Sequence, residues 1–213
     1  MRFGFRVPRC ALRVARSAFV GLIATALALW VVGCQTQPPM DVFGPTPSFQ
    51  LTDQTGATFA SQSLGGKVTL LDFVYTHCTD ACPLLSATFQ EAQRKLSSDG
   101  LLGSRIMLVS LSVDPVHDTP VVFAEYGQQF KADPTGWKLL TGDFDQVYDV
   151  VTGFKVSLRP PRPAADAAAP GGTELTHTTR VVLIDPRLQV RAYLEGADTT
   201  ADDLITAAKR LMK

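Results

Sequence analysis

Residues 68–75 of this chain, VTLLDFVY, make a continuous β-prone run. A strand of that composition presents no face to water, so it must lie inside a sheet that is covered on both sides. The covering layers have to be helices, and helical patterns follow. Leu85, Phe89, Ala92 and Leu96 recur at helical spacing within residues 84–96, and Gly100 is placed to stop that helix. A second buried strand is expected over residues 106–113, IMLVSLSV. Thr119-Pro120, a cap followed by proline at the first helical position, opens a helix running to Phe130. A third helix is expected over 143–151, closing strands over 178–184 and 190–194 about Asp185-Pro186, and a last helix over 200–212. Ahead of them all, Phe49, Leu51 and Thr58-Phe59 flank Asp53-Gln54-Thr55-Gly56 as a hairpin. Strands alternating with helices give an α/β fold with a mixed central sheet, and no internal repeat is present.

The front of the chain is of another kind. All five charged residues before Cys34 are arginines: Arg2, Arg6, Arg9, Arg13 and Arg16. Residues 18–32, AFVGLIATALALWVV, follow them uncharged and almost wholly apolar, which is the layout of a secretory signal. The run falls short of the roughly 20 residues of a membrane span, so a permanent anchor helix would need to borrow its flanks. Val31-Val32-Gly33-Cys34 resembles the bacterial lipobox, which implies that Cys34 is lipidated and becomes the mature N-terminus. Acyl chains there would hold the protein at a membrane surface without spanning it. The expected layout is therefore a signal peptide over 1–33, a lipidated Cys34 with a proline-rich tether over 34–47, and one domain over 48–213, on the periplasmic side of a bacterial envelope. Residues from 34 onward carry 20 acidic groups against 15 basic ones, which argues against a nucleic-acid partner.

Targeting also settles the cysteine arithmetic. Cys10 lies in the leader and Cys34 would carry lipid, so Cys78 and Cys82 are left as free chemistry. They lie in residues 73–83, FVYTHCTDACP, where the buried strand ends and a helix begins. The amides and dipole of a helix N-terminus favour thiolate, at Cys78 above all. A spacing of four would put both side chains on one helical face. A structural disulfide is a poor explanation, because so small a loop hardly restrains the unfolded chain. Thiol exchange stays open, although thioredoxins have two residues between their cysteines and this chain has three. Soft thiolates prefer Cu(I) or zinc and invite a third donor. Of the three histidines, His77 should point away from Cys78 by side-chain alternation and His117 reads as a solvated loop residue. His177 precedes the strand over 178–184 at the rim of the sheet, and spacing alone leaves its role open. Residues 159–173, RPPRPAADAAAPGGT, have the composition of a surface loop.

Several stretches, in order, resemble the Sco/SenC family. They are Tyr75-Thr76-His77-Cys78 with Asp80 and Cys82-Pro83; Ser112-Val113-Asp114-Pro115 with Asp118-Thr119-Pro120; Trp137 with Leu140-Thr141-Gly142; and His177 followed by Val182-Leu183-Ile184-Asp185. The resemblance implies a thioredoxin-like fold and one copper ion held by Cys78, Cys82 and His177, with Asp114 near the site. It further implies delivery of that copper to the binuclear copper centre of a cytochrome c oxidase subunit, with other copper chaperones or thiol reductants as further partners. The alternative within the same resemblance is a thiol-disulfide oxidoreductase that reduces the acceptor's cysteines. A peroxide-reducing relative is a third reading, which leaves the donor set unexplained. Two departures from the family pattern are Thr79, where proline is common, and the 159–173 insertion.

Overall fold

The computed structural model describes residues 39–156 and 179–212. Among these, the strands are β1 (Gly44–Pro45), β2 (Gln50–Asp53), β3 (Thr58–Ala60), β4 (Val68–Val74), β5 (Ile106–Ser112), β6 (Trp137–Thr141), β7 (Arg180–Ile184) and β8 (Gln189–Glu195). The helices are α1 (Ala81–Ser98), α2 (Pro120–Gln129), α3 (Phe144–Gly153) and α4 (Ala201–Arg210). All eight strands join one sheet in the order β1-β8-β7-β4-β5-β6-β2-β3. β4 runs parallel to β5 and antiparallel to β7, and β7 pairs antiparallel with β8. That central β8-β7-β4-β5 arrangement is the thioredoxin-like one, with the expected β2-β3 hairpin added beyond β6.

β4 earns its place at the centre by composition. Each of its seven residues is at most 1% exposed. Val68, Leu70 and Val74 face α1 and α4 through Leu85, Phe89, Ala92, Leu96, Leu204 and Ala208. Leu71 and Phe73 face the other way, into Leu51, Phe59, Val147, Val150 and Val151. Each such side chain contributes about 1.5–3 kcal/mol of hydrophobic stabilisation when fully buried. The helices begin where their caps dictate. Thr119 accepts a hydrogen bond from the Val122 amide ahead of Pro120, and Thr200 forms a reciprocal capping box with Asp203.

Two features differ from the sequence-based expectation. Residues 137–141 form β6, a strand in the middle of the sheet that a five-residue stretch, WKLLT, does not announce by its periodicity. Trp137 is fully buried there, donating from Nε1 to Ser110 Oγ at 3.0 Å and packing 5.8 Å from the Phe89 ring. The second concerns the proline-rich stretch up to Pro47. From Met40 on it is docked on the sheet and does not run free. The Phe43 amide donates to the Val190 carbonyl, the Thr46 amide to that of Leu188, and Arg191 donates to the carbonyls of Met40 and Asp41. Proline is tolerated because this is an edge strand. No described helix is long and apolar enough to cross a membrane.

One acid sits inside β4. Asp72 is fully buried opposite Ser110 of β5, and among the described residues neither of its carboxylate oxygens finds a hydrogen-bond partner. Burial pushes its pKa up to about 7. Folding therefore favours the protonated form. Asp72 costs nothing at and below about pH 4, and its stability penalty grows as pH rises through 7, reaching about 4 kcal/mol at about 1.4 kcal/mol for each pH unit between the unfolded and folded values. Asp72→Asn should thus gain on the wild type between pH 4 and pH 8 in denaturant titrations. A stability difference that does not change with pH would show that Asp72 is already charged and compensated in the fold.

Candidate functional site

β4 hands the chain to the site. Beyond Val74 it leaves the sheet through Tyr75, Thr76 and His77, reaches Cys78, and turns through Thr79 and Asp80 into α1. Helix α1 begins only at Ala81, so Cys78 belongs to the turn and is not a helical residue as its spacing suggested. The two cysteines meet for another reason. Asp80 is the N-cap residue but its side chain makes no capping bond, and the Cys78 sulfur accepts from the Cys82 amide at 3.3 Å in its place. No disulfide joins the two, and both are buried, Cys78 8% and Cys82 3% exposed.

This geometry separates the two thiols. Burial opposes the Cys78 thiolate, but hydrogen bonds from the Cys82 thiol, the amides of Asp80 and Cys82, and the Tyr75 hydroxyl outweigh it and bring its pKa below the ordinary thiol value. Burial raises that of Cys82, and the neighbouring Cys78 raises it further. Tyr75 is pushed up to about 12 by burial and by the negative charge on Cys78. Cys78 is thus the more acidic thiol of the pair, and burial holds Cys82 toward its protonated form.

A second carboxylate clamps the turn. Asp118 is fully buried and accepts from Thr76 Oγ1 at 2.6 Å, the Thr76 amide at 3.2 Å and Ser112 Oγ at 2.6 Å. It thereby ties the segment before Cys78 to the end of β5. Burial raises its pKa in spite of those bonds.

The SCO1/SenC family model matches residues 41–213. The chain belongs to the SCO1/SenC family. A SCO1/SenC family lipoprotein from Bacillus anthracis str. Ames aligns with TM-score 0.70 at 28% identity, over 83% of this chain and 100% of that one. Bradyrhizobium japonicum ScoI, solved with copper bound, aligns with TM-score 0.65 at 30% identity, over 78% and 99%. BsSco, a member of the Sco family of cytochrome c oxidase assembly proteins in which a disulfide switch was identified, aligns with TM-score 0.69 at 25% identity, over 83% and 99%.

Within this SCO1/SenC domain, the structure brings Cys78 and Cys82 together and sets Asp114 close enough for its charge to act on Tyr75. His77 is exposed, as side-chain alternation suggested, and His117 sits in the loop after β5. His177 and Cys34 lie outside the described residues, as do Cys10 and the 159–173 loop. Among the described residues, no group of three or more His, Cys, Asp or Glu side chains is arranged to hold a metal ion. Leu71 pairs with Val182 in antiparallel register, so β7 starts at the end of β4 that leads to Cys78. A Cβ at Gly196 would collide with the Thr179 carbonyl, so only glycine lets the chain after β8 lie against the residue that leads into β7.

Sequence reasoning singled out Asp118 only as part of a motif and missed Tyr75 as a site residue. The signal for Asp118 was an acid directly before the Thr119-Pro120 cap, in a loop leaving a buried strand. Asp118→Ala leaves the Thr76 amide and two hydroxyls without their acceptor, and a buried group so stranded costs about 1–3 kcal/mol. The variant should lose stability by about that amount, and its Thr76 amide should exchange with solvent faster than in the wild type. Unchanged exchange at Thr76 would mean that other contacts hold the turn.

Proposed function

We propose that this protein is a copper metallochaperone of the bacterial envelope. It takes one Cu(I) as cargo through Cys78, Cys82 and His177 and passes it to the copper-bearing subunit of cytochrome c oxidase. The carrying observation is the Cys78–Cys82 pair itself: two sulfurs with no disulfide between them, brought together at a strand-to-helix turn, one of them with its pKa lowered. Soft thiolates select Cu(I), and a donor set short of four leaves a position for an incoming ligand. The copper-bound ScoI structure and the oxidase-assembly membership of BsSco support the cargo and the acceptor. His177 is three residues ahead of Arg180, where β7 begins beside the Cys78 end of β4, which favours it as the third donor.

Transfer would run by thiolate exchange. Cys78 binds first because its thiolate is already favoured, and Cys82 gives up its proton when the metal arrives. Lipid on Cys34 would keep the domain at the membrane that holds the acceptor, with a signal peptide over 1–33 removed; the B. anthracis relative is a lipoprotein.

The unequal acidity of the two thiols also favours a second reading, in which the domain reduces the acceptor's cysteines. Cys78 would attack the partner disulfide, and Cys82 would resolve the mixed disulfide, leaving Cys78 and Cys82 oxidised and the acceptor with two thiols. The disulfide switch of BsSco supports it.

An anaerobic Cu(I) competition titration of the reduced protein beside His177→Ala separates the two. Metal delivery predicts one tight equivalent. It should weaken by more than the roughly 10- to 100-fold typical of a lost supporting group, since a ligand is removed. Weak wild-type binding, or equal binding by the variant, would leave thiol exchange as the function.

A further inference from the structure

On the outer side of the same turn lies a group of residues that the cysteine site does not use. The rings of His77 and His117 meet edge to face, with centroids 5.5 Å apart. His117 Nδ1 lies 2.8 Å from Asp114 Oδ2, with the His117 side chain 60% exposed and that of Asp114 21%. His77 Nδ1 lies 3.5 Å from Thr76 Oγ1. Thr76 gives its own hydroxyl proton to Asp118, so its oxygen faces His77 as an acceptor. Each ring therefore has an oxygen acceptor for an Nδ1 proton, and in that tautomer both Nε2 atoms carry a free lone pair.

The spacing suits a shared ion. With metal–nitrogen bonds of about 2.0–2.1 Å, a ring centroid lies roughly 3.2 Å from the metal, so two rings in neighbouring positions at about 90–110° have centroids roughly 4.5–5.2 Å apart. The 5.5 Å pair reaches that range by a small closing movement of two exposed side chains. A carboxylate behind one imidazole is the usual support for a metal-bound histidine.

We propose that His77 and His117 bind a divalent late transition ion, Cu(II) foremost, with Asp114 orienting His117 and water filling the remaining positions. Imidazole donors suit Cu(II), and Cu(II) heads the affinity order among the first-row divalent ions. This site is separate from the one proposed for Cu(I): its donors are nitrogen, it is exposed, and it needs neither cysteine. It would hold copper in its oxidised state one residue from Cys78, and the binding itself moves no electron.

The test uses the untagged full chain in detergent with Cys10→Ser, Cys34→Ser, Cys78→Ser and Cys82→Ser, so that no thiol competes. Cu(II) is titrated in and followed by electron paramagnetic resonance. The expected result is one equivalent whose signal carries coupling to two nitrogens, with affinity falling at least about 100-fold in His77→Ala and in His117→Ala separately. Asp114→Asn should weaken binding by about 10- to 100-fold. The proposal is overturned if the signal survives both histidine variants, or if His177→Ala removes it while they do not. Because no cysteine is present, either failure leaves the Cu(I) reading standing, and failure of the Cu(I) titration leaves this one standing.

Discussion

Strand β4 has no side on which a polar residue could face water, and the rest of the domain is arranged to satisfy that. Two layers have to cover it, so α1 and α4 pack on one face while α3 and the β2-β3 hairpin pack on the other. The same condition places the chemistry. A strand buried along its whole length meets solvent only where it ends, and here it ends at the turn carrying Cys78. Sulfurs at the boundary between core and water take hydrogen-bond partners from the protein and lie just beneath the surface, 8% and 3% exposed.

Two carboxyl groups near that boundary show how burial alone fails to fix a residue's role. Asp118 is as buried as Asp72, yet it accepts three hydrogen bonds and works as a clamp on the cysteine turn. Asp72 makes no comparable set of bonds, with little beyond the Ser110 hydroxyl opposite to offset its burial, and is held toward its neutral form. The difference is local supply of N–H and O–H groups. A turn offers free amides and hydroxyls, whereas a strand interior has already spent its amides on the ladder.

Much of this was legible in the chain. Val68–Val74, Ile106–Ser112 and the four helices followed from runs of apolar residues, caps and stops, each a local signal that packing reinforced. β6 was not legible, since five residues holding Lys138 between Trp137 and Leu139 give no clear period, and the ladder partners that make them a strand are distant in sequence. The docking of Met40–Pro47 was hidden for the same reason: its hydrogen bonds come from Leu188, Val190 and Arg191. At the site, spacing put Cys78 and Cys82 together, but it could not show that Cys78 precedes the helix and takes over a cap that Asp80 leaves unmade. The clamp at Asp118 joins residues 42 positions apart, beyond the reach of any local pattern.

The docked edge strand has a mechanical side. Tension on the chain ahead of Met40 enters the domain through the hold of Arg191 on the Met40 and Asp41 carbonyls and the few backbone bonds from Phe43 and Thr46 to β8. Those contacts sit at one margin of the sheet, with β8 and β7 between them and β4. Peeling β1 away would absorb a pull on the N-terminal segment before any strain reached the turn that holds the two sulfurs. The edge strand can thus give way while β4 and the turn after it stay in register.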